Sequence, residues 1–173
     1  MKQDRIILTG FMGTGKTAVG QSLAKKLSLR FVDTDQLIEE EHGQTITEIF
    51  EKKGEVIFRE YERKVVQKIL GEKGIVMATG GGAVIDPDNL KAMKERGVLI
   101  ALSASAEVIL ERVSRLGNRP LLKSKDQMET IRNLLSRRSP YYRQADHIID
   151  TTGKTVEQTV QELTKLLHEK YKG

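Results

Sequence analysis

Gly10-Phe11-Met12-Gly13-Thr14-Gly15-Lys16-Thr17 is the segment whose residue types and spacing specify chemistry most directly. It matches G-x-x-x-x-G-K-[ST], with an apolar strand-like run before it and a helical pattern after it, the context in which this motif binds nucleotide. Glycines let the backbone turn tightly, so that successive N–H groups point into one concavity. The helix N-terminus adds positive potential there. Lys16 is placed to reach the β- and γ-phosphates of a nucleoside triphosphate, and the Thr17 hydroxyl to ligate Mg²⁺. An ordinary Gly-rich turn would need neither the lysine nor the threonine. The loop implies bound triphosphate and leaves the acceptor open.

Carboxylates come next. Many phosphate-loop proteins carry an Asp for Mg²⁺ at the end of a further apolar strand. The third apolar run here ends instead in Thr79-Gly80-Gly81-Gly82. The acids follow the second run, as Asp33-Thr34-Asp35. Strand C-termini in a doubly wound sheet face the ligand crevice, so this pair is expected near the phosphate loop. In extended chain the i, i+2 spacing would turn both carboxylates to one side. One could orient Mg²⁺ through water, and the other could accept a proton from an attacking hydroxyl. The alternative is that Asp33 or Asp35 only caps a helix starting near Gln36.

Gly80-Gly81-Gly82 removes side chains where something must approach the backbone closely, unless it is merely a flexible turn. Arg59 stands beside a stripe formed by Phe58, Val65 and Ile69, with Glu62 at i+3 to pair with it. A solvated surface pair is the bland reading. Arg115 to Arg119, and Arg137-Arg138 ahead of Ser139-Pro140-Tyr141-Tyr142, add further guanidinium groups. Arginine suits both phosphoryl charge and bidentate carboxylate recognition, so an anionic acceptor would account for them.

These groups need a frame. Ile6 to Thr9, Phe31-Val32, Ile75 to Thr79, Val98 to Leu102 and His147 to Asp150 read as five strands. Val19, Leu23 and Leu27 mark a helix after the loop, and Val156, Val160, Leu163 and Leu167 a last one. Continuous apolar strands between helices argue for a parallel sheet covered on both faces. Two stretches read as insertions, a helical one over about 36–71 and one over about 115–126 rich in Arg, Lys, Gly and Asn.

Composition bounds the rest. At 173 residues, 38% hydrophobic and 31% charged, the chain suits one soluble domain, residues 1–173. No apolar run approaches the length of a membrane span, and no signal peptide is evident, so the cytoplasm is the expected compartment. There is no cysteine, which excludes disulfides and thiolate chemistry. A net charge of +5 could serve nucleic acid or an anionic small substrate. The basic residues are dispersed and aromatics do not interleave with them, which disfavours nucleic acid.

The set of motifs resembles the shikimate kinase family, of the nucleoside monophosphate kinase-like phosphate-loop group. The resemblance rests on Gly10 to Thr17, Asp33-Thr34-Asp35, Phe58-Arg59 with Glu62, Gly80 to Gly82, Asn118-Arg119-Pro120-Leu121-Leu122, and Arg138-Ser139-Pro140-Tyr141-Tyr142 before Ala145-Asp146. It implies a three-layer α/β/α fold with a five-stranded parallel sheet of order 2-3-1-4-5. It implies transfer of the ATP γ-phosphate to the 3-hydroxyl of shikimate, with one Mg²⁺ and no nucleic-acid or membrane partner, by a monomer. Thr17 would ligate Mg²⁺, with Asp33 assisting through water. Asp35 would be the base, and Asp35, Arg59, Gly80, Gly81, Gly82 and Arg138 would hold shikimate. Gly13, Thr14, Gly15, Lys16 and Thr17 would hold ATP. Lys16 and Arg119 would stabilise the moving phosphoryl group, and Arg112 would contact adenine. Phe50 and Phe58 would wall the acceptor pocket, about 33–71 would form the acceptor-binding segment, and about 115–126 the lid. Arg138, rather than Arg137, matches the carboxylate-binding position. The segment after Asp150 matches the family poorly and carries no assignment. Rival readings are a kinase for gluconate or a nucleoside monophosphate, and an ATP-binding regulatory module without turnover.

Overall fold

The structure, a computed structural model, describes residues 4–116 and 126–171. Five strands form one sheet: β1 (Arg5–Gly10), β2 (Arg30–Asp33), β3 (Ile75–Ala78), β4 (Val98–Ser103) and β5 (His147–Asp150). Their order is β2-β3-β1-β4-β5, as the family resemblance implies, and every neighbouring pair is parallel. Each strand seen as an apolar run is present, within a residue or two of its expected bounds.

The apolar runs are continuous because both faces of the sheet are covered. Along β1, Ile6 and Leu8 turn to one side and Ile7 to the other, the two-residue period of a strand. Ile6, Leu8, Val76, Val98, Ile100 and Leu102 meet the helix α1 (Lys16–Leu27) and the last helix α7 (Val156–Tyr171). Val19 and Leu23 of α1 are buried there, as are Val160 and Leu163 of α7. Val156 opens α7 but is 40% exposed, so it lies outside that stripe. On the opposite face Ile7, Met77 and Leu99 pack under α3 (Ile46–Ile69), α4 (Pro87–Arg96), α5 (Ala106–Leu116) and α6 (Gln127–Tyr142).

The stretch expected to be a helical insertion holds α2 (Thr34–His42) and α3. Thr45 and Glu48 start α3 with a reciprocal capping box. Gly54, at φ 82° and ψ 170°, interrupts the helix. Of the stretch expected to be a lid, only its two ends lie within the described residues.

One glycine shows how tightly the sheet holds the phosphate loop. Gly10 ends β1 at φ 137°, a conformation that L side chains rarely adopt. A Cβ there would stand 2.2 Å from the Leu102 carbonyl oxygen on β4. That carbonyl is backbone, so it cannot swing aside. Gly10→Ala is therefore expected to cost roughly 2–4 kcal/mol of stability through strain and overpacking together. Urea unfolding of the purified variant measures it.

Candidate active site

The ends of β1, β2, β3 and β5 and the start of α1 converge on a single cleft of about 1010 Å³. That volume lies at the upper end of the small-molecule range and suits two substrates side by side.

At one end lies the phosphate loop. Gly15 caps α1 in the left-handed conformation and contributes no side-chain cap, and no acid occupies the first turn of α1. The helices α2, α3, α4 and α6 begin on Asp33, Thr45, Asp86 and Asp126, whose side chains accept the first N–H groups. The start of α1 is thus the one among these that keeps its N–H groups and its positive end for an anion. Lys16 Nζ donates to the Gly10 and Phe11 carbonyls at 2.7 and 2.9 Å, and so lies across the loop. The loop is held from behind by buried Thr151, whose hydroxyl lies 3.0 Å from the Thr14 carbonyl oxygen and 3.0 Å from that of Ser103. Arg112 donates to the Gly13 carbonyl at 3.2 Å, and to the Thr151 hydroxyl and carbonyl at 3.0 Å each. Expected as an adenine contact, Arg112 borders the cleft and ties the phosphate loop to the β5 end.

The two aspartates correct the extended-chain reading. Helix α2 begins at Thr34, not near Gln36, so Asp35 sits in its first turn. Asp33 is the cap, and its Oδ1 accepts from the Asp35 and Gln36 N–H groups at 3.0 and 3.2 Å. Its Oδ2 accepts from the Thr17 hydroxyl at 3.0 Å. Capping and a place at the phosphate loop are therefore compatible, one oxygen serving each. Asp35 points elsewhere: its Oδ1 lies 2.8 Å from where a Gly80 Cβ would stand. The helical turn sends the two carboxylates to different ends of the cleft.

Gly80-Gly81-Gly82 shapes the other end of the cleft. None of the three has positive φ, so the glycines are required for space rather than for backbone conformation. A Cβ on Gly80 would meet Asp35 Oδ1 at 2.8 Å and Glu62 Oε2 at 2.9 Å. On Gly81 it would meet an Arg138 guanidinium nitrogen at 3.3 Å and the Tyr142 hydroxyl at 3.4 Å. On Gly82 it would meet Arg59 nitrogens at 2.5 and 2.7 Å. Each absent side chain admits a different polar group from α2, α3 or α6.

Arg59 and Glu62 are not a solvated pair. Glu62 is 1% exposed and accepts from Arg59 at 2.8 Å, while Glu55 adds a second acceptor at 3.2 Å. Burial works against the Arg59 charge, but the Glu62 and Glu55 carboxylates outweigh it and raise its pKa. Burial pushes the Glu62 carboxyl above the usual glutamate range, against the pull of Arg59 and Arg138. Glu62 Oε2 has no hydrogen-bond partner among the described residues and faces Gly80. Phe50 and Phe58 line the cleft with ring centroids 4.7 Å apart, and Arg59 stacks 5.1 Å above the Phe58 ring. Arg138 lines the cleft and stacks on Phe11 at 5.7 Å, whereas Arg137 is exposed and does not line it.

Residues after Asp150, which carried no assignment, also line the cleft: Thr151, Lys154, Thr155 and Thr159. The signal for them was positional, since they follow a strand C-terminus in a parallel sheet. Arg119 lies outside the described residues.

Comparison with known proteins agrees with this geometry. The family model for shikimate kinase matches residues 12–168. A shikimate kinase of Caldanaerobacter subterraneus subsp. tengcongensis is 47% identical over 160 residues, which is 92% of this chain and 94% of that one. One from Geobacter sulfurreducens is 48% identical over 164 residues, covering 95% and 91% of the two chains. The solved shikimate kinase of Acinetobacter baumannii in complex with shikimate superposes with a TM-score of 0.93 at 40% identity, covering 98% of this chain and 96% of that one. A model matching most of the chain, relatives 47% and 48% identical over nearly all of it, and a superposition at a TM-score of 0.93 leave one conclusion: this chain belongs to the shikimate kinase family.

Proposed function

We propose that this protein transfers the γ-phosphate of ATP to the 3-hydroxyl of shikimate, giving shikimate 3-phosphate and ADP, with the residues of the cleft in distinct roles. The observation that carries the assignment of roles is the division of the cleft. Thr17, Lys16 and the uncapped start of α1 lie at one end, and Asp35, Arg59, Gly80 to Gly82 and Arg138 at the other.

Asp35 is the base. It accepts the proton of the 3-hydroxyl as that oxygen attacks the γ-phosphorus, in line with the departing ADP oxygen. Arg59 and Arg138 hold the shikimate carboxylate, and the Gly80 to Gly82 backbone leaves them room to close on it. Gly13, Thr14 and Gly15 bind phosphate oxygens through N–H groups. Lys16 turns from the loop carbonyls to the β- and γ-phosphates, and Arg119 adds positive charge to the transferring group. Arg112 and the β5–α7 segment border the nucleotide base.

The donors present fit Mg²⁺. A hydroxyl backed by a carboxylate, Thr17 with Asp33 at 3.0 Å, offers the hard oxygen chemistry that the ion prefers. Among the described residues no cluster of three His, Asp or Glu forms a protein cage for a metal. That suits an ion held mainly by substrate phosphates and water. When bound it would neutralise charge on the β- and γ-phosphate oxygens, with Thr17 as its direct protein ligand and Asp33 acting through water. The stretch around 115–126 is the lid, and its closure excludes water from the transfer. The proposed working state is a monomer.

ADP release with Mg-ATP should require shikimate, with gluconate, AMP and single-stranded DNA each inactive, and EDTA should abolish it. Release independent of shikimate, or driven by another acceptor, would refute the acceptor assignment. Asp35→Asn is expected to lower kcat by about 10²–10⁴ while ADP affinity, measured by calorimetry, stays within twofold (about 2, well under a tenfold step of 1.4 kcal/mol). Wild-type turnover would remove Asp35 from the role of base. Gly82→Ala should mimic Arg59→Ala, because the new methyl displaces the same guanidinium. Both variants should raise the shikimate KM about 10- to 100-fold and leave the ATP KM alone. An unchanged shikimate KM in both would return Arg59 to a structural role.

A further inference from the structure

Tyr142 ends α6, one turn beyond Arg138, and its ring is buried in the core beneath the sheet. Its hydroxyl donates to the Gly81 carbonyl at 2.7 Å, a contact spanning 61 residues of sequence. Nothing in the assignment of roles above uses it.

The consequence follows from peptide geometry. A trans peptide is planar, with its C=O and the following N–H directed oppositely. Fixing the Gly81 carbonyl on Tyr142 therefore fixes the Gly82 N–H on the far side of that peptide. Gly82 is buried, and its N–H has no acceptor among the described residues. A glycine on each side would otherwise let this peptide rotate at little cost, because glycine populates regions closed to other residues. The same hydroxyl and an Arg138 nitrogen stand 3.4 and 3.3 Å from the position of a Gly81 Cβ. Tyr142 thus also borders the space in which Arg138 lies.

We propose that Tyr142 is a positioning residue for shikimate: its hydroxyl locks the Gly81–Gly82 peptide so that the Gly82 N–H and the Arg138 guanidinium are presented together to the acceptor. Tyr142 does not touch the reacting atoms. Its burial serves the role, because it holds the phenol's pKa at about 12 against the opposing charge of Arg138 and Arg59. The group therefore remains a neutral donor throughout the working pH range. The proposal rests on the placement of shikimate beside Gly80 to Gly82 and Arg138.

Tyr142→Phe keeps the ring and its packing and removes only the donor. A part-buried carbonyl left unpaired and a freed peptide should raise the shikimate KM, and the shikimate Kd by calorimetry, about 5- to 50-fold. The ATP KM, the ADP affinity and kcat at saturating shikimate should each change less than about twofold, far below a 1.4 kcal/mol step. A merely structural residue would lower the melting temperature without separating the two substrates. Arg138→Lys, measured alongside, separates the proposal from the reading beneath it. If Arg138→Lys raises the shikimate KM and Tyr142→Phe does not, the positioning role is wrong and the site stands. If neither moves it, the placement of shikimate itself is wrong. Parallel loss of ADP and shikimate binding in Tyr142→Phe would also overturn the proposal, marking the residue as one of general fold maintenance.

Discussion

One end of the cleft depends on a steric fact: a Cβ on Gly80, Gly81 or Gly82 would stand 3.2 Å or less from groups already there. Three elements distant in sequence send polar groups against these Cα atoms, Asp35 from α2, Arg59 and Glu62 from α3, and Arg138 and Tyr142 from α6. The strand β3 delivers the glycines from inside the sheet, between β2 and β1. Because β3 and β1 are parallel and in register, the glycine run and the phosphate loop leave the same edge. The backbone of Gly10 lies against Gly81 in turn, its carbonyl oxygen 3.2 Å from the position of a Gly81 Cβ. The two ends of the cleft are thereby joined through main chain, whose relative position no rotamer change can alter.

Charge is arranged on that frame with opposite treatments at the two ends. The start of α1 is left without a side-chain cap, so its N–H groups are available to phosphate. At the other end positive charge is brought in on Arg59 and Arg138, and Arg59 is neutralised in part by buried Glu62. A buried ion pair of this kind contributes little net stability, because desolvation offsets most of the attraction. Its value is geometric: Glu62 holds Arg59 over Gly82 at a site where an unpaired guanidinium could adopt many rotamers. The burial that raises the Glu62 pKa is the cost of that arrangement.

The family pattern and the physical reading of the residues reach the same cleft by different routes. The resemblance names a set of positions in order along the chain. The packing explains why they must be those residue types. Glycine is required where five polar side chains crowd one strand end. Asp is required at residue 33 because one carboxylate must cap α2 and receive the Thr17 hydroxyl together. Tyr142 and Thr151 belong to the same logic, each using a buried hydroxyl to hold a glycine-adjacent carbonyl of the site.

Local sequence determined much of this. The phosphate loop, the five apolar strands and the helices flanking them were legible because strand period, helix period and glycine spacing are properties of neighbouring residues. Tertiary structure decided the rest, because it depends on which distant groups meet. That Asp33 and Asp35 serve different ends of the cleft follows from where α2 starts, and a two-residue shift reverses the extended-chain reading. Spacing alone leaves Arg59 and Glu62 an average surface pair, and only the packing of α3 beside Gly80 to Gly82 buries Glu62 and sets Arg59 against Gly82. That Arg138 and not Arg137 lines the cleft is a matter of helix face, since Arg138 lies on the side of α6 that meets Phe11 and Gly81. What fills the space beside the three glycines could not be read from the glycines themselves, since the residues that enter it come from elements before and after them in the chain.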